Sequence, residues 1–214
     1  MKGMKKIDLG LTKQELAILK KLTTPIKIQN FLDTFPRNLE KNGETYMSPR
    51  QVLKKKKMHC FEGALLAATA LWLHGEAPLL LDLKAPGDED HVIALYQKNG
   101  YWGAISKTNH AVLRFRDPVY KTVRELALSY FHEYTHDKTG KKTLRRFSRP
   151  FDLRKLGTGW ITDEEDLDHL VQKLDDSPHQ TIFPPSNLRF IRPADKVERL
   201  VGKLVEWKKR DRGT

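Results

Sequence analysis

Cys60 is the only cysteine in this sequence and the residue best suited to covalent chemistry. It follows a lysine run, Lys54 to Lys57, and His59, and it opens an apolar segment that predicts a buried helix. The start of a helix stabilises a thiolate through unpaired backbone N–H groups and the helix dipole, and the upstream cations add to that effect. The sequence supports two interpretations of Cys60: a reactive thiol or a small buried apolar residue.

A predicted β-hairpin supplies a partner for the thiol. Asn99-Gly100 lies between two apolar runs, which is the strongest short signal for a two-residue hairpin turn. Counting back from this turn puts His91 opposite Thr108. Ser106 then shares a face with His91, on the diagonal at about 7 to 8 Å between backbones. We therefore expect the Ser106 hydroxyl to orient the His91 imidazole.

A second motif, His132-Glu133-x-x-His136, matches the helical pattern in which two imidazoles bind zinc and the glutamate acts as base. Helical spacing of apolar residues predicts a helix from Val123 to Tyr134, on which both histidines point away from the apolar face. A zinc hydrolase also needs a third ligand and a walled cleft. We therefore favour an exposed histidine pair and expect no metal.

The elements that must position these residues can be predicted in outline. Thr12 with Glu15 is typical of a capping box, and Thr24-Pro25 and Ser48-Pro49 are typical helix starts. The predicted order is α-helices at 12–22, 24–35 and 48–57, a buried helix at 60–74, strands at 79–83, 91–97, 101–106 and 112–115, a helix at 123–134, a short strand mixed with loop at 144–160, then helices at 163–174 and 196–210. The region from 177 to 187 reads as a proline-rich loop.

These elements predict an α+β domain in which a buried helix, with Cys60 at its N-terminus, packs against a mainly antiparallel β-sheet with flanking helices. A length of 214 residues fits one domain. Within this single domain (1–214) we distinguish N-terminal helices (1–47), a core (48–137) and a C-terminal extension (138–214).

Composition limits the compartment and the partners. One cysteine cannot form an internal disulfide, and no segment is apolar enough for a signal peptide or a membrane span, so we expect a cytoplasmic protein without membrane association. The formal charge of +12 would attract acidic partners or nucleic acid. The basic clusters at 54–57, 138–146 and 203–212 lack a recognition motif, so a solvated basic surface is the favoured interpretation.

The stretch from Ser48 to about Ser106 resembles the transglutaminase-like branch of the papain-like cysteine enzymes. The resemblance is carried by Ser48-Pro49-Arg50-Gln51-Val52-Leu53, Cys60-Phe61-Glu62-Gly63-Ala64, the buried helix and strand that follow, His91 at the start of a hairpin strand, and Tyr101-Trp102 on its return.

The resemblance implies that Cys60 is the nucleophile and His91 the base. The family usually places an acid, commonly Asp, near the end of the return strand, where this sequence has Ser106. A serine can accept a hydrogen bond from imidazole but cannot stabilise imidazolium by charge. Candidate acids in its place are Asp88, Glu89, Asp90 and Asp117.

The leading hypothesis is thiol-dependent acyl transfer or amide hydrolysis by a catalytic set of Cys60, His91 and Ser106. The Cys60 N–H would help to hold the oxyanion, and Glu62 would support the helix start. The substrate would be a peptide, a protein or a small amide, and the chemistry needs no cofactor. The alternatives are a catalytically silent domain that binds a partner through its basic surface, which Ser106 favours, and the zinc hydrolase.

Overall fold

A computed structural model describes residues 8–39 and 43–206 of the chain, which form an α+β structure. The helices are α1 (Lys13–Leu19), α2 (Pro25–Asp33), α3 (Pro49–Lys55), α4 (Cys60–Leu73), α5 (Val123–Ser129), α6 (Asp168–Asp175) and α7 (Lys196–Gly202). The strands are β1 (Leu79–Lys84), β2 (His91–Lys98), β3 (Tyr101–Ile105), β4 (Arg116–Tyr120), β5 (Arg146–Ser148), β6 (Phe151–Asp152) and β7 (His179–Thr181). Short 3₁₀ turns lie at Leu153–Leu156, Gly159–Ile161 and Pro185–Phe190.

All seven of these strands join one antiparallel sheet, in the order β4-β3-β2-β1-β5-β7, with β6 also paired to β1. The β2–β3 register runs from Lys98↔Tyr101 to Ala94↔Ile105, so the hairpin register predicted from the Asn-Gly turn is confirmed. Asn99 adopts the left-handed conformation that this turn requires. The ladder stops at Ile105, and Ser106 therefore lies just beyond it.

The sheet is buried on both faces, which explains why its central strands are apolar without alternation. Leu80 and Ala94 face a core built around α4, whereas Leu81 and Ile93 face a second core that includes residues of α5. Helix α4 lies against β1 and β2 and is buried from Phe61 through Trp72. The expectation of a buried helix starting at Cys60 on an antiparallel sheet is confirmed.

The predicted caps of the N-terminal helices are also confirmed. Thr12 and Glu15 form a reciprocal capping box at α1, and the hydroxyl of Thr24 accepts a hydrogen bond from the first turn of α2. Ser48 caps α3 and also donates to the carbonyl of Asp163 at 2.6 Å, which ties α3 to the C-terminal half of the chain.

The prediction of one helix from Val123 to Tyr134 is wrong in its second half, because α5 ends at Ser129. Backbone groups further on pair across the chain instead of along a helix. The amide of Thr143 donates to the carbonyl of Tyr134, and the amide of His136 donates to that of Lys141. The apolar spacing that predicts a longer helix includes Tyr130, the C-cap of α5, and Tyr134, which follows the next turn, and both are buried.

The C-terminal region also differs from the predicted elements. Helix α6 begins at Asp168 rather than Asp163, and α7 ends at Gly202, while residues 207–210 of the predicted last helix lie outside the described residues. Residues 112–115 are not a strand, and β4 begins at Arg116. Strand β7 lies in the region that was predicted to be a loop. Strands β5 and β6 pair directly with β1, so residues 146–152 extend the central sheet.

In the described part of the chain, no helix combines the length and the apolar character needed to cross a bilayer.

Candidate functional site

Cys60 is the first residue of α4 and lies, partly exposed, in a cavity of about 700 Å³. His59 precedes it as the N-cap, in an extended conformation. The first amides of a helix have no acceptor within the helix, so the Cys60 N–H is available where an acyl oxygen would lie. The thiol is therefore at the positive end of a buried helix, with a space beside it for a ligand.

His91 opens β2 and faces the same cavity. Its Nε2 lies 2.8 Å from the hydroxyl oxygen of Ser106, and that hydroxyl donates to the carbonyl of Leu113. Since the only hydroxyl proton of Ser106 is used on the carbonyl, its oxygen must accept from His91, which assigns the Nε2–H form of the ring. The contact between His91 and the Cys60 thiol therefore involves Nδ1.

Ser106 is itself held by an amide clamp. The backbone N–H of Ser106 donates to Oε1 of Gln29 at 3.0 Å, and Nε2 of Gln29 donates to the Ser106 carbonyl at 2.8 Å. Gln29 lies on α2, 77 positions away, and is nearly fully buried. Because this contact is long-range, nothing in the local sequence pattern marks Gln29 as part of the site.

A second imidazole, that of His59, also contacts the Cys60 thiol. Its Nε2 lies 2.6 Å from the carbonyl oxygen of Thr45 and 3.5 Å from Oε1 of Glu62. A carbonyl can only accept, so Nε2 carries a proton and the contact with Cys60 falls to Nδ1. The sequence suggested that His59 would favour the anion, but not that its side chain would turn back onto the sulfur.

The thiol lies between these two imidazoles, and this placement sets its acidity. Burial acts to raise the pKa of the Cys60 thiol, but the hydrogen bond and positive charge of His59, with a further contribution from His91, outweigh burial and hold the pKa well below its ordinary value. Burial likewise acts to lower the pKa of His59, and the hydrogen bond and negative charge of Cys60, with the charge of Glu62, raise it to about 9. Both pKa directions favour a thiolate at Cys60 beside an imidazolium at His59.

Glu62 is fully buried and supports the start of α4, which confirms the role predicted for it. One carboxylate oxygen accepts from the His59 N–H at 2.8 Å, and the other accepts from the Met47 N–H at 3.1 Å and the Thr45 hydroxyl at 3.2 Å. Burial raises the pKa of Glu62, against the lowering effect of His59. The carboxylate thus joins the loop before α3 to the thiol's helix.

Lys107 is a buried lysine in the cavity wall that no local sequence pattern predicts. Its stem crosses the first turn of α4 so closely that a Cβ at Gly63 would lie 2.5 Å from the Lys107 Cβ. Its Nζ donates to the carbonyl of Phe35 at 2.6 Å, and burial lowers its pKa. Gly63 is therefore required by close packing beside the site.

Three of the four acids proposed from the sequence have other partners. Asp88 accepts from the Thr143 hydroxyl, Asp90 accepts from Lys84 and the Ala85 N–H, and Glu89 pairs with Arg37 at the cavity rim. Asp117 lies on β4. In residues 8–39 and 43–206, the hydrogen bond from the His91 ring to a side-chain oxygen goes to Ser106, not to any of these carboxylates.

The His132-Glu133-x-x-His136 motif is not helical and its histidines are used separately. His132 Nδ1 lies 3.0 Å from Nζ of Lys142, and His136 Nδ1 accepts from Thr139. Glu133 accepts from the Leu113 N–H and pairs with Arg116. Within the described residues no group of three His, Cys, Asp or Glu side chains could hold a metal ion.

Neither a protein-family model nor a curated protein sequence matches this chain.

Proposed function

We propose that this protein is a transglutaminase-like thiol enzyme, in which Cys60 carries an acyl group between an amide and water or an amine. The observation that carries the proposal is the contact series from the Cys60 thiol through His91 to Ser106, at the wall of a cavity large enough for a side chain or a short peptide. A peptide, a protein or a small amide fits this chemistry as substrate.

The architecture around the site supports this assignment. A thiol on the first turn of a buried helix, and an imidazole on the neighbouring antiparallel strand, are the arrangement that the resemblance of residues 48–106 implies. The reducing compartment suggested by the single cysteine, the cytoplasm, would keep the thiol available.

The chemistry proceeds by acyl transfer through sulfur. The thiolate attacks the carbonyl carbon, the new oxyanion lies by the Cys60 N–H, and the C–N bond breaks as the leaving amine takes a proton from an imidazole. Water or a second amine then attacks the thioester and gives a proton to Nδ1 of His91, and the C–S bond breaks. The thiolate is restored, and no oxidant or cofactor is consumed.

Ser106 at the position of the usual acid is consistent with an active site. Its hydroxyl donates to the Leu113 carbonyl and accepts from His91, whereas a carboxylate at this place would face the carbonyl with no proton to give. Serine therefore satisfies both neighbours and still fixes the ring.

The proposal is tested by measuring the rate of Cys60 alkylation by iodoacetamide against pH, together with thioester formation from p-nitrophenyl acetate. We expect the wild-type protein to alkylate well below the ordinary thiol pKa of about 8.5 and to release p-nitrophenolate repeatedly. Cys60→Ser is the control for both signals. A thiol that titrates near its ordinary pKa and never turns over would overturn the proposal.

The second candidate is a catalytically silent domain of the same class that binds an acidic partner or nucleic acid. The observation that favours it is the exposed lysine run at 54–57, which lies next to the cavity helix. Such binding would weaken steeply with added salt. Salt-dependent retention on an anionic matrix, unchanged in Cys60→Ser, with no release of p-nitrophenolate, would support this candidate over the enzyme.

A further inference from the structure

Two imidazoles contact the thiol of Cys60, which is one more base than acyl transfer through sulfur needs. His59 and His91 contact the same sulfur, but the partners behind them differ. Behind His91 is a neutral hydroxyl at 2.8 Å, and behind His59 is the fully buried carboxylate of Glu62 at 3.5 Å. A carboxylate stabilises an imidazolium by charge, which a hydroxyl cannot do.

The thiol has a single proton to give, and the two rings compete for it. Both rings already carry a proton on Nε2, fixed by the Thr45 carbonyl in one case and the Ser106 hydroxyl in the other. The thiol proton can therefore go to Nδ1 of either ring. The ring that lies beside an anion holds the added proton more firmly. That ring is His59, because the Glu62 carboxylate lies next to it.

We propose that His59 is a catalytic residue, whose imidazolium holds the Cys60 thiolate with Glu62 behind it and leaves Nδ1 of His91 to accept the proton of the attacking nucleophile. This inference rests on the proposed function. In the family that residues 48–106 resemble, the usual acid would supply the stabilising charge through the histidine that corresponds to His91. Here we assign that charge to His59, the residue before Cys60. The proton balance is closed: the thiol proton moves to His59 and then to the leaving amine, and the proton of the attacking water moves to His91 and returns to His59 when the thiolate re-forms.

Two features of the structure support a role in charge rather than in packing alone. The groups that face His59 include Cys60, Glu62, the Thr45 carbonyl and the rings of Tyr46 and Phe61, and its side chain is 13% exposed. The charge is thus screened little by solvent. The pKa of His59, which Cys60 and Glu62 raise to about 9, agrees with a protonated ring at neutral pH.

The test compares two matched variants, His59→Gln and His91→Gln. In each variant an amide N–H can replace the Nε2–H bond, to Thr45 or to Ser106, but no charge can form. We expect His59→Gln to slow alkylation by iodoacetamide at about pH 6 by roughly tenfold or more, because one unit of thiol pKa is tenfold in thiolate. In His91→Gln we expect a smaller change in alkylation and a larger loss of p-nitrophenyl acetate turnover.

A second measurement remains informative if His59→Gln fails to fold. NMR titration of the histidine ring signals should give a His59 pKa of about 9 in the wild-type protein. In Cys60→Ser, which removes the thiolate, the pKa of His59 should be distinctly lower. An unchanged His59 titration in Cys60→Ser would overturn the inference.

The two proposals fail in different ways. If the wild-type thiol is ordinary, the proposed function itself is wrong. If the wild-type thiol is acidic, and its pKa is unchanged in His59→Gln but rises in His91→Gln, the enzyme proposal stands and His59 has only a structural role.

Discussion

Within the described residues, two clusters each combine an imidazole with a serine hydroxyl, one of them inside the sheet and the other at the cavity wall. In the sheet, His179 on β7 is opposite Ser148 on β5, and its Nε2 lies 3.1 Å from Oδ2 of Asp82 on β1. We call these three residues the sheet cluster. At the cavity, His91 has Ser106 in place of an acid but contacts the thiol of Cys60.

By residue type alone, the sheet cluster is the better match to a hydrolase triad, yet its geometry is that of a structural contact. Ser148 is fully buried and its oxygen accepts from the Asp82 N–H at 2.9 Å, so it lies against backbone rather than against space. Burial raises the pKa of the Asp82 carboxyl, against the charge of Lys84 and the hydrogen bond from His179. The comparison shows that a cluster of reactive residue types can act on a substrate only where a substrate can reach it. A buried cluster of the same residue types serves stability instead.

The largest expected effect that separates the two clusters is at the nucleophiles. Cys60→Ser should reduce p-nitrophenyl acetate turnover by about a thousandfold or more, since an unactivated hydroxyl is a far weaker nucleophile than a thiolate. Ser148→Ala should leave turnover within about twofold. Equal release of p-nitrophenolate by the wild type and Cys60→Ser would show that Cys60, His91 and Ser106 do not carry the reaction.

The imidazoles should separate in the same direction. His91→Gln should lower turnover by roughly 10² to 10⁴, the usual contribution of general acid–base catalysis, while its thermal unfolding stays close to that of the wild type. His179→Gln should do the reverse, with a lower midpoint of unfolding and normal turnover. Measuring both quantities in both variants checks the assignment, and loss of turnover in His179→Gln would contradict it.

The sheet cluster should be visible in the free energy of unfolding. Asp82→Ala leaves His179 and the buried end of β1 without their acid, and breaking a buried pair in this way costs about 3 kcal/mol. Urea unfolding followed by circular dichroism measures this cost. The rate of Cys60 alkylation in the folded variant serves as the control, and a changed rate would mean that the two clusters are coupled.

A smaller effect is expected at Ser106, where the chemistry of the third member can be varied. Ser106→Ala removes both hydrogen bonds and should lower turnover by roughly tenfold, whereas Ser106→Thr keeps the hydroxyl and should lie nearer the wild type. Ser106→Asp should give no gain, because its carboxylate would face the Leu113 carbonyl. A gain in Ser106→Asp, in the same turnover assay, would show that the site lacks charge and would argue against His59 as its source.

The smallest effect is the pH dependence of stability that arises from the His59–Cys60 pair. The pKa of His59 is raised in the fold, so its contribution is full below about 6.5 and lost as the pH rises through about 9. The pKa of Cys60 is lowered, so its contribution is full above about 8.5 and lost as the pH falls through the folded value.

The His59 imidazolium and the Cys60 thiolate stabilise the fold only together. Their two pH trends therefore add up to a plateau in the free energy of unfolding. The unfolding free energy of the wild type minus that of His59→Gln should be flat between about pH 6.5 and 8.5 and decrease on both sides, by on the order of 1 kcal/mol. Urea titrations at three pH values measure it. A difference that does not vary with pH would mean that no charge pair exists in the folded state.

The sequence alone determined the local geometry around the site. The Asn99-Gly100 turn fixed the hairpin register, because a two-residue turn leaves one pairing open and alternation then assigns each face. The position of Ser106 beside His91 therefore follows from the sequence. The apolar run after Cys60 likewise defined the start of a buried helix, since its pattern is written within a few turns of the chain.

Only the tertiary structure decided which groups surround the sulfur. Gln29 and Thr45 reach the site across long sequence separations, and the side chain of His59 turns onto the thiol because the loop before α3 provides its acceptor. The same holds for the end of α5 at Ser129 and for β7, where backbone pairing across the chain decided the structure that local patterns did not predict. Turn geometry and alternation act between near neighbours, whereas burial, access and charge are set by whatever the fold brings together.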